Sequence, residues 1–349
     1  MQYDAIVLVS FGGPEKLEDV LPFLENVLRG RNVPAQRRQE IAGHYCAMGG
    51  RSPIVAATQA MAESLQKELD LKGPRLPVYI GNRNWHPMLE ATLRKMAQAG
   101  IGRALAVVTS AFGSYSGCQQ YREDIERARG RVAAALGKAA PEVDKIRLFY
   151  NHPEFLAIWM ERVQAALAQV PEGSEIIFTA HSIPETMAAV TPYVEQLQEA
   201  ARLIATAIGH AQYHLAYQSR SGRPEDPWLE PSVESVLGEC AARAVPGVVV
   251  APLGFLSDHM EVVYDLDREA QQKADELGLP MVRVKTPGDH PAFAGLLHEL
   301  ILERCDPERA RRAVGRCGAW ADDCYAGCCL TEKPFVAGIP RSVLSVGGR

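Results

Sequence analysis

Short apolar segments rich in valine and isoleucine alternate with longer amphipathic segments along most of the chain. Short apolar runs bounded by turn residues are typical of buried strands, whereas apolar residues that recur every three to four positions indicate helices. The strands predicted in this way are Ala5–Ser10, Pro77–Ile80, Leu105–Ser110, Ile146–Tyr150, Ile176–His181, His214–Tyr217, Val248–Pro252 and Met281–Val284. The predicted helices are Val55–Leu69, Pro87–Ala99, Gln120–Leu136, Pro153–Gln169, Tyr193–Ile208, Pro231–Arg243 and Val262–Leu277.

Strands that alternate with helices predict an α/β fold. The pattern runs through the chain twice, so we expect two similar Rossmann-like lobes, each with a parallel sheet flanked by helices. The lobes are predicted at residues 1–150 and 151–312, with a hinge near Asn151–Pro153. Residues 313–349 form a Cys-rich C-terminal extension whose end is rich in proline and glycine. We expect this tail to be an appendage, because the strand–helix pattern stops before it.

Composition narrows the range of functions. The chain has 349 residues, of which 47% are hydrophobic and 23% are charged, as in ordinary globular domains. It has 37 basic and 42 acidic residues, and without a basic block nucleic acid is not expected as a partner. No apolar run approaches the roughly 18 residues of a membrane span. Asp4 stands where a signal peptide would be basic. These features predict a cytoplasmic protein.

Ligands of doubly wound sheets bind beyond the carboxyl ends of the strands, so the residues that follow each predicted strand are candidate binding residues. None of these segments has a glycine-rich phosphate-binding motif, and a nucleotide site is therefore not predicted. One of them, Gln218–Pro224, contains Arg220, which could hold a carboxylated ligand. The alternative is a structured surface loop.

His181 ends a predicted strand in the segment Thr179–Pro184. An imidazole at this position would project into the cleft, where its near-neutral pKa suits proton transfer. The alternative is a histidine that only caps the following turn through hydrogen bonds.

Three acidic residues, Glu261, Asp265 and Glu269, recur at i, i+4 and i+8 in a predicted helix. This spacing places them on one helix face about 6 Å apart, where like charges repel by a few tenths of a kcal/mol per pair. A column of carboxylates can relay protons or pass a hard divalent cation to a buried site. The alternative is a solvated helix face, although the helix begins beside His259 at the end of a predicted strand.

Cysteines are concentrated near the C-terminus. Of the eight, five fall between Cys305 and Cys329, and the tail has the spacing Cys317-x6-Cys324-x3-Cys328-Cys329. Three or four thiolates so close together suit an iron–sulfur cluster or Zn²⁺, but the CxxC pairs of zinc ribbons are missing. The alternative is a tail that binds no metal.

Several motifs together resemble ferrochelatase, the family that inserts ferrous iron into a porphyrin. They are Phe11-Gly12-Gly13-Pro14-Glu15, Arg29-Gly30-Arg31, Gly49-Gly50-Arg51-Ser52-Pro53, Gly81-Asn82-Arg83, Thr179-Ala180-His181-Ser182-Ile183-Pro184, Tyr217-Gln218-Ser219-Arg220 and Gly254-Phe255-Leu256-Ser257-Asp258-His259-Met260-Glu261. The resemblance runs in order from about Gln2 to Glu303 and implies the type II chelatase fold, with the macrocycle in the cleft between the lobes.

The resemblance also implies roles for the candidate residues. His181 would be the base or iron ligand with Glu261 opposite, His259 would orient Glu261, and Asp265 with Glu269 would extend a path for protons or metal. The residues implied to contact the porphyrin are Phe11, Arg29, Arg31, Arg51, Ser52, Arg83, Tyr121 and Phe255. Some relatives have methionine or tyrosine where this chain has Phe11, which offers no donor atom to a metal.

A subset of ferrochelatases holds a [2Fe–2S] cluster with C-terminal cysteines and one internal cysteine. By this resemblance the ligands would be Cys118, Cys317, Cys324 and either Cys329 or Cys328, with Cys329 favoured by the spacing. Cys305 is expected to be a plain thiol.

The resulting prediction is a ferrochelatase that converts protoporphyrin IX and Fe²⁺ to protohaem and two protons. The alternatives are insertion of iron into coproporphyrin III, insertion of another metal into a related tetrapyrrole, and a non-catalytic porphyrin-binding or iron–sulfur sensing protein. Residues Asn32–Met48 could form an apolar lip that contacts a membrane surface or an upstream oxidase transiently, and a monomer is slightly favoured.

Overall fold

Two parallel sheets organise the chain. The computed structural model describes residues 2–29, 33, 35–221, 225–323 and 328–329. Within these residues the first sheet has the strand order β2-β1-β3-β4 and the second has the order β6-β5-β7-β8, with every pairing parallel. Both sheets thus have the same arrangement, and the predicted α/β class with two lobes is confirmed.

Among the described residues the strands have three to seven residues, and the longest helix has 19. The strands are β1 Ala5–Ser10, β2 Val78–Asn82, β3 Arg103–Val108, β4 Glu142–Lys145, β5 Glu175–His181, β6 Tyr213–Gln218, β7 Val248–Ala251 and β8 Met281–Arg283. The helices are α1 Leu17–Val27, α2 Ala35–Ala47, α3 Ile54–Lys72, α4 Leu89–Gln98, α5 Gln120–Leu136, α6 Pro153–Leu167, α7 Glu185–Ala188, α8 Tyr193–Ala207, α9 Val233–Ala242, α10 Met260–Tyr264, α11 Gln271–Glu276 and α12 Phe293–Cys305.

Central strands are buried on both faces, which explains their uniformly apolar sequences. All six residues of β1 are buried, and all four of β7 are buried in the same way. A strand covered by helices on both faces has no solvent-facing side, so its sequence does not alternate. This burial fixes the positions of the loops that follow the strands, where the candidate site residues lie.

The last helix joins the two lobes. α12 packs against α3 of the first lobe as well as α6 of the second. At its end Glu303 forms a bidentate ion pair with Arg147, at 2.7 and 3.0 Å, and both side chains are almost fully buried. The lobes therefore share packed contacts behind the cleft.

Two predicted elements differ from the structure. The predicted strand Ile146–Tyr150 is not a strand: β4 ends at Lys145, and the apolar run that follows is a buried coil. The predicted helix Val262–Leu277 is interrupted, because residues Asp265–Ala270 form a π-helical turn between α10 and α11. A π turn contains more residues than an α turn, and it changes the direction in which the following side chains project.

The described part of the C-terminal extension is attached to the lobes. The Asn151 side chain donates hydrogen bonds to the carbonyls of Val314 (3.2 Å) and Gly318 (2.7 Å), and the Arg316 amide donates to Glu199 at 2.8 Å. Asp322 pairs with Arg304 and Arg311. In the part of the chain that the structure describes, no helix has both the length and the apolar character needed to cross a bilayer.

Candidate active site

The candidate site lies at the carboxyl ends of β5, β6 and β7. His181 is the last residue of β5, and the loop that follows β7 carries His259 to the start of α10. This loop passes so close to β5 that a Cβ on Gly254 would lie 2.7 Å from the Ala180 Cβ. Glycine at this position therefore allows the loop to bring His259 and Glu261 toward His181.

His181 and Glu261 face each other. The His181 Nε2 atom lies 3.5 Å from Glu261 Oε1, and its Nδ1 atom forms a hydrogen bond with the Ser182 carbonyl. Because a carbonyl only accepts, Nδ1 carries the proton in that bond, and Nε2 is the atom directed at the carboxylate. The arrangement thus presents one imidazole nitrogen and one carboxylate to the same space.

The His259 side chain contacts Glu261 mainly at the backbone amide of Glu261. The Glu261 amide donates to His259 Nδ1 at 3.2 Å, which makes His259 the N-cap of α10. The distance from His259 Nδ1 to Glu261 Oε2 is 3.9 Å, which is too long for a hydrogen bond. His259 therefore fixes the start of the helix that carries Glu261, and Phe255 packs against its ring with the ring centres 5.0 Å apart.

Three further residues support the pair: Thr179 and Gln218 stand in segments that the sequence singled out without assigning them this role, and Tyr193 does not. The Gln218 side chain accepts a hydrogen bond from Thr179 at 2.8 Å and donates one to the Glu261 carbonyl at 2.8 Å. The Tyr193 hydroxyl donates to the His181 carbonyl at 3.1 Å. These bonds connect β5, β6, α8 and α10 at one point. The position of Gln218 at the end of a strand was the available signal.

Ionisation of the two facing groups is coupled. Burial opposes the charged form of His181, but the Glu261 carboxylate outweighs it and raises the pKa of His181 to about 9. Burial likewise opposes ionisation of Glu261, and the charge of His181 outweighs it and lowers the pKa of Glu261 to about 2. At neutral pH the two groups therefore form an imidazolium–carboxylate pair.

Asp265 behaves differently from Glu261. Burial raises the pKa of Asp265 to about 7, although the Ser219 hydroxyl donates a hydrogen bond to its carboxyl group. Asp265 begins the π-helical turn, so Glu261, Asp265 and Glu269 do not form the regular α-helical column that the sequence predicted. The three acids nevertheless interact, since the charges of Glu261 and Glu269 both contribute to the raised pKa of Asp265.

An aromatic lip from the first lobe covers this region. In α2 the His44 ring stacks on Tyr264 of the second lobe, with centres 3.9 Å apart, and Tyr45 lies within electrostatic range of Glu261. The Phe23 ring contacts Tyr45 at 5.7 Å and Phe11 at 6.1 Å. The site is thus bounded by the acidic second lobe on one side and by aromatic rings of the first lobe on the other.

The predicted porphyrin contacts occupy varied environments. Arg83 is buried, pairs with Asp124 at 2.5 Å and lies over the Tyr121 ring at 4.3 Å. Arg29 is exposed and contacts Asn26, and Ser52 is buried beside Gly13. Arg31 lies outside the described residues.

The cysteines predicted to hold a cluster are only partly described. Cys118 is buried in a π-helical turn, Tyr115–Gln119, Cys328 is buried and Cys317 is exposed, whereas Cys324 lies outside the described residues. The tail does approach the helix that follows Cys118, because Asp323 lies 3.5 Å from Arg122. Arg122 is one helical turn beyond Cys118, and Asp323 directly precedes Cys324. Among the described residues, no three of the thiols of Cys118, Cys317, Cys328 and Cys329 lie within 4.8 Å of one another.

A second group with metal-binding side chains lies at the other end of β5. The ligand atoms of Glu175, His214 and Cys240 lie within 4.8 Å of one another. Arg243 forms a bidentate ion pair with Glu175 at 2.7 and 2.9 Å and already supplies a positive charge there. We interpret this group as a structural ion-pair network.

Two parallel-sheet lobes, with an imidazole–carboxylate pair beneath an aromatic lip, define the fold and site of a metal chelatase. Among solved structures, SirB from Bacillus subtilis with Fe³⁺ is similar at a TM-score of 0.54 and 14% identity, covering 86% of this chain and 94% of that one. At this identity the likeness concerns the fold alone. The chain belongs to the ferrochelatase family, whose sequence profile matches residues 3–305.

Close relatives agree with this assignment. The chain is 46% identical to the coproporphyrin III ferrochelatase of Nocardia farcinica over 355 residues, which cover 97% of this chain and all of that protein. It is also 46% identical to the ferrochelatase of Rhodopirellula baltica, with 96% of each chain covered. The protein is therefore an enzyme that takes Fe²⁺ and a porphyrin as substrates and forms a haem.

Proposed function

We propose that this enzyme inserts Fe²⁺ into coproporphyrin III and forms coprohaem. The sequence predicted protoporphyrin IX as the substrate with coproporphyrin III as the alternative, and the relatives support coproporphyrin III. Those from Nocardia farcinica, Frankia alni and Streptomyces coelicolor are all named coproporphyrin III ferrochelatase. The observation that carries the chemistry is the 3.5 Å separation between His181 Nε2 and Glu261 Oε1 at the strand ends.

The reaction requires two pyrrole N–H protons to leave as Fe²⁺ enters the macrocycle. Before the metal arrives, His181 holds a proton because of its pairing with Glu261. A divalent cation that approaches the carboxylate disfavours the imidazolium, so His181 loses this proton to solvent and becomes a neutral base. Glu261 then holds the cation while the neutral imidazole accepts one pyrrole proton, passes it to solvent and accepts the second. Asp265, with its pKa near 7, can take up and release protons at the operating pH.

The propionate contacts form the finer part of the proposal. Coproporphyrin III carries two more carboxylates than protoporphyrin IX, so a specific enzyme needs additional donors. Arg29 and Arg51 are exposed, whereas Ser52 is buried beside Gly13. We assign the extra carboxylates to this side of the cleft. Arg83, which pairs with Asp124, would instead support the ring-contacting Tyr121 and Phe11.

A [2Fe–2S] cluster held by Cys118, Cys317, Cys324 and either Cys329 or Cys328 is also part of the proposal. Such a cluster would supply a rigid link and a one-electron couple. The burial of Cys118 and the approach of Asp323 to Arg122 support a position between α5 and the tail. Because the thiols lie far apart in sequence, their joint ligation would fasten the tail to the first lobe.

We further propose a cytoplasmic enzyme whose lip contacts a membrane surface or an upstream oxidase, since porphyrins and haems are poorly soluble. The central test supplies anaerobic Fe²⁺ with coproporphyrin III or protoporphyrin IX in parallel and compares kcat/KM. A ratio above about tenfold in favour of coproporphyrin III, equivalent to about 1.4 kcal/mol, supports the proposal. Equal values or a preference for protoporphyrin IX would refute the substrate assignment and leave the ferrochelatase activity intact.

A further inference from the structure

Arg283 joins two carboxylates that lie on either side of the catalytic acids in sequence. Its Nε and Nη2 atoms donate to Asp267 Oδ1 and Oδ2 at 2.7 and 2.8 Å. Its Nη1 atom lies 3.1 Å from both oxygens of Asp258, and Nη2 also lies 3.1 Å from Asp258 Oδ2. Asp258 additionally accepts a hydrogen bond from Thr286 at 2.8 Å. One guanidinium therefore forms a bidentate ion pair with Asp267 and at the same time contacts both carboxylate oxygens of Asp258.

The two carboxylates belong to different parts of the site. Asp258 directly precedes His259, the N-cap of the helix that carries Glu261. Asp267 lies within the π-helical turn that begins at Asp265. Glu261 and Asp265 are thus enclosed between the two residues that Arg283 connects. Movement of either end relative to the other would change the positions of these acids with respect to His181.

A π-helical turn needs support of this kind. Such turns are rare, and they occur mostly as single turns inside α-helices, frequently at functional sites. The Arg283 side chain is only 15% exposed, so its charge-assisted bonds are partly shielded from water. The backbone of Arg283 is also held in place, because Arg283 is the last residue of β8, which pairs with the buried strand β7.

We propose that Arg283 is a positioning residue for metal insertion, which holds the π-helical turn so that Glu261 and Asp265 keep their places relative to His181. This inference rests on the proposed function, since it assigns those acids to the reaction. A lysine at this position would keep the charge but could not form two forks, because an ammonium group is a compact donor without planar geometry. The prediction is therefore specific to the shape of the guanidinium as well as to its charge.

The test compares Arg283→Lys and Asp267→Asn with the unmodified enzyme. We expect kcat for iron insertion to fall about 10- to 100-fold, the usual effect of losing a partner that orients a reacting group. The KM for the porphyrin should change by less than about threefold, because the guanidinium of Arg283 is already engaged by Asp258 and Asp267. The double variant should be no slower than the slower single variant, since both changes remove the same clamp. Asp267→Asn alters the shape of the site least, so it tests the same positioning role if Arg283→Lys folds poorly.

Hydrogen exchange supplies a readout independent of activity. Amides of residues 258–270 should exchange at least about tenfold faster in Arg283→Lys, whereas those of β5 should not change. Arg243→Lys is the matched control, because it alters a bidentate ion pair in the same lobe at the opposite end of β5 and should leave kcat within about twofold.

The outcomes separate the two proposals. An Arg283→Lys enzyme with unchanged kcat and unchanged exchange would overturn the positioning role. Additive effects of Arg283→Lys and Asp267→Asn would overturn it too, since the residues would then act independently. If the unmodified enzyme fails to insert iron into either porphyrin, the proposed function fails, and faster exchange in residues 258–270 of the variant would still support the clamp.

Discussion

Replacement of His181 by alanine tests the chemistry of the site most directly. The imidazole Nε2 lies 3.5 Å from Glu261 and is the nitrogen available for proton transfer. A positioned general base contributes about 10²–10⁴ in rate, so kcat should fall by that factor, equivalent to about 2.7–5.4 kcal/mol. The macrocycle is expected to bind mainly through its faces and carboxylates, so porphyrin affinity measured by fluorescence quenching should change by less than about threefold.

The control is a second imidazole–carboxylate pair. His290 Nε2 lies 3.4 Å from Glu161 Oε2, and its Nδ1 accepts the Ala292 amide much as His259 accepts that of Glu261. His290→Ala removes the same atoms from a similar pair and should retain nearly full activity. If His181→Ala kept more than about a tenth of the original kcat, general-base catalysis by His181 would be refuted. Equal losses in both variants would point to damage to the fold.

Three other predictions concern stability and the tail. Glu303→Gln leaves the buried Arg147 without its carboxylate and should lower the free energy of unfolding by about 3–5 kcal/mol in denaturant titrations. Hydrogen bonds from Arg243 lower the pKa of Glu175 to about 2, below its unfolded value; its contribution to stability is therefore present at neutral pH and is lost as pH falls from about 4.5 toward 2. Denaturant midpoints should show a weaker acid dependence in Glu175→Gln. Cys118→Ser should reduce iron and sulfide in purified protein to near zero; unchanged contents would contradict the proposed cluster.

The core of each sheet could be predicted from sequence because burial leaves an unambiguous pattern. β1 and α5 begin and end at the predicted residues, since one is apolar throughout and the other is amphipathic and ends at Gly137 in a left-handed conformation. The predicted strand Ile146–Tyr150 was wrong because a buried apolar run has the same sequence pattern whether or not it pairs with a strand. α2, which carries His44 and Tyr45, was not predicted as a helix, because its many polar residues leave no clear apolar periodicity in the sequence.

The site was predictable where motifs mark it and unpredictable where it depends on distant contacts. His181 and Glu261 stand in distinctive segments at strand ends. Gln218 and Arg283 acquire their roles only because β6 pairs with β5 and β8 pairs with β7. The bonds they form join residues that are well separated along the chain, such as Thr179 with Gln218 and Asp258 with Arg283. A single sequence does not reveal which of many polar residues meet in this way.

Two acids one helical turn apart, Glu261 and Asp265, have different properties because their neighbours differ. Asp265 is partly buried against Ser219, and burial raises its pKa to about 7. Glu261 stays ionised because the charge of His181 outweighs the effect of burial on its pKa. Pairs of titratable groups whose surroundings separate their pKa values are suited to different roles in one reaction. The ionised acid suits the attraction of a cation, and the acid near neutrality suits the transfer of protons. The different pKa values of the two acids therefore follow from the charge of His181 beside Glu261 and from the burial of Asp265, and the spacing of the carboxylates in sequence does not show either.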